Sequence, residues 1–261
     1  MIFSILCRLL DQMVSVYTHI RKRARQIVSR FPQPEFYSDH PREIRHSGQI
    51  FATDPILREL KAFLADQLED NLGHGLRHAT KVALDAGALM AVEGRESGIS
   101  DRLIDRGILI VESAGLLHDV KRKQNDHSVK GAVYAGKLLS GYPFSSKEVE
   151  EVRTAIYNHE AFKKCIPAYS RRGALVSDCL YDADKFRWGP DNFSDTLWEM
   201  VMFHNPPLSD FIANYPSGIE SLLKIKTTFR TGTGKKYGPQ FIDIGVAIGE
   251  ELLKVIKSEF L

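Results

Sequence analysis

The 261-residue chain is 43% hydrophobic and 26% charged, with 35 Lys and Arg against 33 Asp and Glu, the proportions of an ordinary globular protein. A chain of this length buries a sufficient core without a disulfide or metal staple. Its net charge of +2 argues against general nucleic-acid binding and leaves a small anionic substrate open. Cys7, Cys165 and Cys179 are odd in number and widely spaced, which argues against a disulfide framework or a cysteine zinc site and points to a reducing, cytoplasmic compartment.

The most apolar stretch, Met1 to Ile20, is interrupted by Arg8, Asp11 and His19, so no membrane span is expected. It also lacks the basic start and cleavage site of a signal peptide. Ile2, Leu6, Leu9, Leu10, Met13, Val14 and Tyr17 recur at helical spacing ahead of Arg21, Lys22, Arg23 and Arg25. That pattern fits a helix packed on the protein body or on another copy of the chain, as in a homo-oligomer, and also a helix on an anionic membrane surface. Phe31-Pro32-Gln33-Pro34 breaks the pattern, and the polar stretch through Ser47 reads as a linker. The expected division is an N-terminal helix and linker over residues 1–45, then one domain over 46–261.

Thr53-Asp54-Pro55 predicts a helix start with proline in the first turn, running to about Asp70. A second helix fits Gly73 to Glu93. A third starts at Ser100-Asp101, with Ile104, Ile108, Val111, Gly115 and His118 on one face. Further helical patterns run from Asn125-Asp126 to Leu139, from Ser145-Ser146 onward, and over 171–186, 192–203 and 217–229. The last places Phe241, Ile244, Ile248, Leu252 and Val255 on one face. With no run of alternating β-branched residues and no repeat, the expected fold class is all-α. Arg230 to Gln240, with Gly232, Gly234, Gly238 and Pro239, reads as a long loop, a lid or an oligomer contact. Its glycines and lysines suit anions, but it is not a P-loop, since Phe229 stands where the first glycine is required.

His118-Asp119 ends the apolar run Ala114-Gly115-Leu116-Leu117. A carboxylate beside apolar residues needs an opposite charge, and a divalent cation supplies one while binding neutral imidazole. On these two residues alone a solvated helix end fits as well. His78 falls on the second helix, and Asp184, in Asp182-Ala183-Asp184-Lys185, lies near the end of a later one. The ordered set His78, His118-Asp119, Asp184 resembles the HD-domain superfamily of metal-dependent phosphohydrolases over residues 73 to about 190. The resemblance extends to His-x-x-x-Val after His78 and to Leu-Leu-His-Asp at the doublet. It implies a helical bundle whose ligands converge on one pocket.

His127 opens one helix and His159-Glu160 closes another. In the two-metal branches of that superfamily, including cyclic-dinucleotide phosphodiesterases of the HD-GYP type, the order is His, His-Asp, His, His, Asp. The resemblance therefore implies a second site on His127 and His159, with Asp119 bridging both ions. Val120-Lys121-Arg122 replaces the Gly-Tyr-Pro signature, and a single histidine stands at 159, which counts against cyclic-dinucleotide specificity. As helix-end or substrate-contacting groups His127 and His159 fit equally well. His74, four residues before His78, reads as a substrate-facing or supporting group.

Imidazole and carboxylate donors suit one or two divalent ions of Mn, Fe, Co, Ni, Zn or Mg. Such ions activate water and polarise a phosphoryl oxygen. Asp119 is the expected catalytic group holding that water. Lys185, Lys81, Arg122 and Arg187, with Lys121, are candidate contacts for a small phosphorylated, nucleotide-like substrate, and the superfamily's nucleotide hydrolases resemble this chain in the Asp184-Lys185 pairing. The expected activity is hydrolysis of a phosphomonoester or phosphodiester. The alternatives are a two-iron oxygenase resembling inositol oxygenase, which shares the six-ligand order, and a non-catalytic nucleotide or metal sensor.

Overall fold

A computed structural model describes residues 16–65 and 75–261, and these contain helices and no strand, as the all-α expectation requires. The helix of residues 16–28 (α1) is followed by Glu35–Asp39 (α2), Pro41–Thr53 (α3), Pro55–Ala65 (α4), Leu76–Glu96 (α5), Asp101–Leu117 (α6), His127–Leu139 (α7), Ser146–Asn158 (α8) and Arg171–Phe186 (α9). A π-helical turn, Asn192–Thr196, leads into Leu197–His204 (α10), and Leu208–Ile225 (α11) and Gly232–Glu259 (α12) complete the chain. Among the described residues no helix is long and apolar enough to cross a membrane. Apolar positions 2–14 of the expected first helix, residues 66–70 of the fourth and His74 lie outside the described residues.

α5 is the central element. Its small residues Ala79, Ala83, Ala86, Gly87, Ala88 and Ala91 are buried, so neighbouring helices approach it from several sides. One close approach is to α6, where a Cβ on Gly115 would lie 2.6 Å from Ala83 Cα. Any larger residue there would force the pair apart against a close-packed core. The contact lies five residues past His78 and three before His118, and so sets the spacing between these two side chains.

α8 begins with a capping box: Ser145 Oγ accepts from Glu148 N, and the Glu148 carboxylate accepts from Ser145 N at 2.8 Å, which satisfies two otherwise open amides. α9 is capped by Ser170, whose Oγ accepts from Gly173 N at 2.8 Å. Phe186, at the end of α9, stacks on Phe241 of α12 with ring centroids 4.0 Å apart.

Two expectations are corrected. The stretch expected to be a linker holds α2 and α3, and Phe36 is fully buried beside Phe186 and Phe241. Tyr17, Ile20, Ala24 and Ile27 of α1 belong to the same core, so this part of the N-terminal segment packs on the body of the protein. Residues 230–240 are not a loop. Thr231 caps α12 by accepting from Gly234 N at 2.8 Å, and the helix continues through Pro239. The glycines serve close packing: a Cβ on Gly234 would run into the Asp182 carboxylate, and one on Gly238 into the Phe229 ring.

Candidate metal centre

The helix ends carry the cluster. His78 sits in the first turn of α5, His118 and Asp119 directly follow α6, His127 opens α7, His159 follows α8, and Asp184 is in the last turn of α9. All six are buried. Five helices thus deliver a polar side chain to one region walled by apolar residues.

Two donor sets share Asp119. In the first, His78 Nε2 and His118 Nε2 are 3.3 Å apart, Asp119 Oδ2 lies 3.4 Å from His118 Nε2, and Asp184 Oδ1 lies 3.3 Å from His78 Nε2 and 3.8 Å from His118 Nε2. In the second, His127 Nε2 and His159 Nε2 are 3.3 Å apart, and Asp119 Oδ1 lies 3.4 and 3.5 Å from them. Donor atoms held about 2.0–2.2 Å from one ion lie roughly 3–3.6 Å from one another at tetrahedral or cis-octahedral angles. The separations among His78, His118 and Asp119 and among Asp119, His127 and His159 therefore fit a divalent cation, with one Asp119 carboxylate oxygen nearest each set, while Asp184 Oδ1 fits against His78 and stands slightly farther from His118.

The ring orientations fit as well. His118 Nδ1 meets the Gly115 carbonyl at 2.7 Å and His159 Nδ1 meets the Ile156 carbonyl at 2.6 Å. A carbonyl only accepts, so each Nδ1 carries the proton and donates. The Nε2 of the neutral ring then presents its lone pair to the cluster, the arrangement that outer contacts impose on metal-binding histidines. His127 Nδ1 faces Glu160 Oε1 at 3.8 Å, and Ser128 Oγ donates to that carboxylate at 2.5 Å. Sequence spacing does not single out Glu160; its adjacency to His159 was the available signal.

Charge distribution acts differently on the individual donors. Burial pushes the His78 and His127 imidazoles below their ordinary pKa, favouring the neutral form that binds metals. Burial alone would raise Asp184, but Lys185, then His78 and His118, hold it well below the usual carboxylate range. Lys185 Nζ lies 2.5 Å from Asp184 Oδ2 and over the Tyr181 ring at 5.1 Å. Burial is the largest influence on His118 and lowers it, yet Asp119, Asp184 and the Gly115 carbonyl together raise it.

The candidate phosphate contacts separate into two groups. Arg122 reaches the second donor set, with Nη1 donating to His127 Nε2 at 3.0 Å and lying 3.9 Å from Asp119 Oδ1, and its side chain is 37% exposed. Lys185 lies inside the cluster. Arg187 is buried and paired with Asp85 and Asp191, and Tyr37 Oη is 2.9 Å away. Lys81 donates to Asp191 at 2.6 Å, and Lys121 Nζ sits 4.0 Å above the Tyr134 ring.

No family model matches the chain, and no curated protein matches it. Among solved structures the chain is similar to a predicted HD superfamily hydrolase from an uncultured Thermotogales bacterium. That similarity has a TM-score of 0.47 and 22% identity, and covers 77% of this chain and 92% of the other.

Proposed function

We propose that the chain is a two-metal phosphohydrolase of HD type that cleaves a phosphomonoester or phosphodiester of a nucleotide-like molecule. The observation that carries the reading is the division of Asp119 between two donor sets of matching size. Divalent ions bound there would supply Lewis-acid polarisation of a phosphoryl oxygen and water whose pKa is lowered from about 15.7 towards neutrality.

His78, His118, Asp119 and Asp184 would hold the first ion, and Asp119, His127 and His159 the second. The remaining residues position these donors and the substrate. Lys185 keeps Asp184 ionised and turns Oδ1 towards His78. Glu160, fixed by Ser128 and Lys163, faces the outer nitrogen of His127. Arg122, partly exposed at the second set, offers the planar fork that suits two phosphate oxygens. The nucleotide preference is supported by the segment after His159. Phe162 is 70% exposed there and held at φ +62°, and Lys164 is exposed beside it, giving a ring for a base and a cation for a phosphate.

The test is phosphate release by the purified chain, reconstituted with Mn²⁺, from p-nitrophenyl phosphate, bis-p-nitrophenyl phosphate and a panel of nucleotides. The expected result is turnover that stops with a chelator and is lost in Asp119→Ala. Full turnover in that variant, or turnover indifferent to chelation, contradicts the proposal.

A further inference from the structure

At the opposite end of the helices that carry the metal centre is a cavity of about 1010 Å³. It is bounded by the C-terminal end of α5 and the N-terminal ends of α6, α8 and α9, whereas the polar cluster lies at their other ends. From His78 to Met90 and Gly94 the axis of α5 advances about 20 Å. None of the six clustered His and Asp residues lines this cavity.

The volume is that of a site for a whole organic ligand. Met90, Ile104 and Leu175 form an apolar wall, while Leu103 and Tyr169, also in the lining, are 54% and 87% exposed. Large apolar groups left in water around a concave surface mark a binding site. The charges are arranged unequally. Glu150 pairs with Arg153 at 2.7 Å, Glu151 with Arg172 at 2.9 Å, and Asp178 lies 4.0 Å from Arg230. Every lining acid has a cation, but Lys147 and Arg171, exposed in the same lining, have no carboxylate partner among the described residues. Thr154, also in the lining, is 1% exposed and its Oγ1 makes no hydrogen bond, an uncompensated polar burial that a ligand acceptor would relieve.

We infer that this cavity is a second ligand site and that it takes an amphipathic anion. An apolar or aromatic body lies on the Met90, Ile104 and Leu175 wall, and a single anionic head meets Lys147 and Arg171. The inference is independent of the hydrolase reading, because the two sites share no residue.

The test is a fluorescence titration of the full chain with anilinonaphthalene sulfonate, with dodecanoate, dodecyl phosphate, dodecanol and inorganic phosphate as competitors. Binding of one probe per chain is expected, displaced by either amphipathic anion and far less well by dodecanol or phosphate. Which of the two anions displaces at lower concentration identifies the preferred head. Charge-assisted contacts are among the stronger hydrogen bonds, so Lys147→Glu/Arg171→Glu weakens binding about tenfold or more, with unchanged far-UV circular dichroism. Leu103→Glu weakens it from the exposed side of the lining. Binding that survives both changes overturns the inference. So does binding that His78→Ala abolishes, which would place the anion at the metal centre, or binding only after a dimer dissociates, which would make the cavity a contact between copies.

Discussion

Two buried polar clusters lie near one another along α5 and the end of α9, and they are built in opposite ways. Around Arg187, each charge is answered within the protein: Asp85 and Asp191 meet the guanidinium, Lys81 meets Asp191 at 2.6 Å, and Arg77 meets Asp195 at 2.8 Å. In the histidine cluster, four Nε2 atoms and two carboxylates converge on each other, and two of the rings are turned by backbone carbonyls so that lone pairs face inward. The first cluster pairs its charges within the protein, leaving only Arg187 Nε without a hydrogen bond, and holds elements together. The second has the donor chemistry of a site that an added cation completes. Burial of polar groups therefore does not by itself identify a functional site; what distinguishes it is whether metal-donor atoms converge on one another or each carboxylate meets a cation.

The sharpest way to break this contrast is to remove one residue from each cluster. Asp119→Ala takes a donor from both sets. Since outer contacts of metal ligands alone contribute about 10- to 100-fold, turnover should fall by more than that, measured by phosphate release, with little change in melting temperature for the metal-free protein. Arg187→Met should do the reverse. It leaves Asp85 buried without its cation, a change that costs about 3–5 kcal/mol and lowers Tm by roughly 10 °C in a chain of this size, while the metal-to-protein ratio of the folded fraction stays the same. A loss of metal in Arg187→Met without loss of stability would merge the two clusters into one site.

A smaller effect sharpens the comparison within the metal centre. Glu160→Gln weakens the outer partner of His127, so affinity for the second ion should fall about tenfold, read by competition with a chromogenic chelator, and the first ion should be unaffected. The smallest effect concerns a pair that is complete within the protein, like those of the Arg187 cluster. Arg106, the largest influence, and the Ser145 cap lower the Glu148 pKa to about 2. The folded value is below the unfolded one, so the contribution is fully present above the unfolded pKa near 4.5 and is lost as pH falls towards 2. Glu148→Gln should flatten acid unfolding across that window by roughly 1 kcal/mol, allowing for solvent screening.

Much of this was legible in the sequence. Helical spacing locates α5 to α9 to within a few residues, because each carries a continuous apolar face, and Ser145 and Ser170 cap α8 and α9. The six candidate ligands are picked out by the resemblance of their order along the chain to the HD-domain pattern; their helix-end positions alone fit solvated groups as well. The failures have a common cause: glycine and proline were read as breaks where packing overrides them. Residues 232–240 are helical because Gly234 and Gly238 admit Asp182 and Phe229. α11 starts at Leu208, well before the expected 217, and runs through Pro216. Partner choice was also beyond local pattern. Nothing adjacent to Arg187 in the chain announces Asp85, one hundred residues earlier, so a buried structural cation and a phosphate ligand look alike in one dimension.

The most direct test of the central claim is the metal-to-protein ratio of wild type, His127→Ala and Asp119→Ala, measured by elemental mass spectrometry after purification without an affinity tag. Two ions per chain in wild type, one in His127→Ala and close to none in Asp119→Ala is the predicted result. A wild-type ratio of one or less that His127→Ala leaves unchanged would contradict the division of Asp119 between two ions.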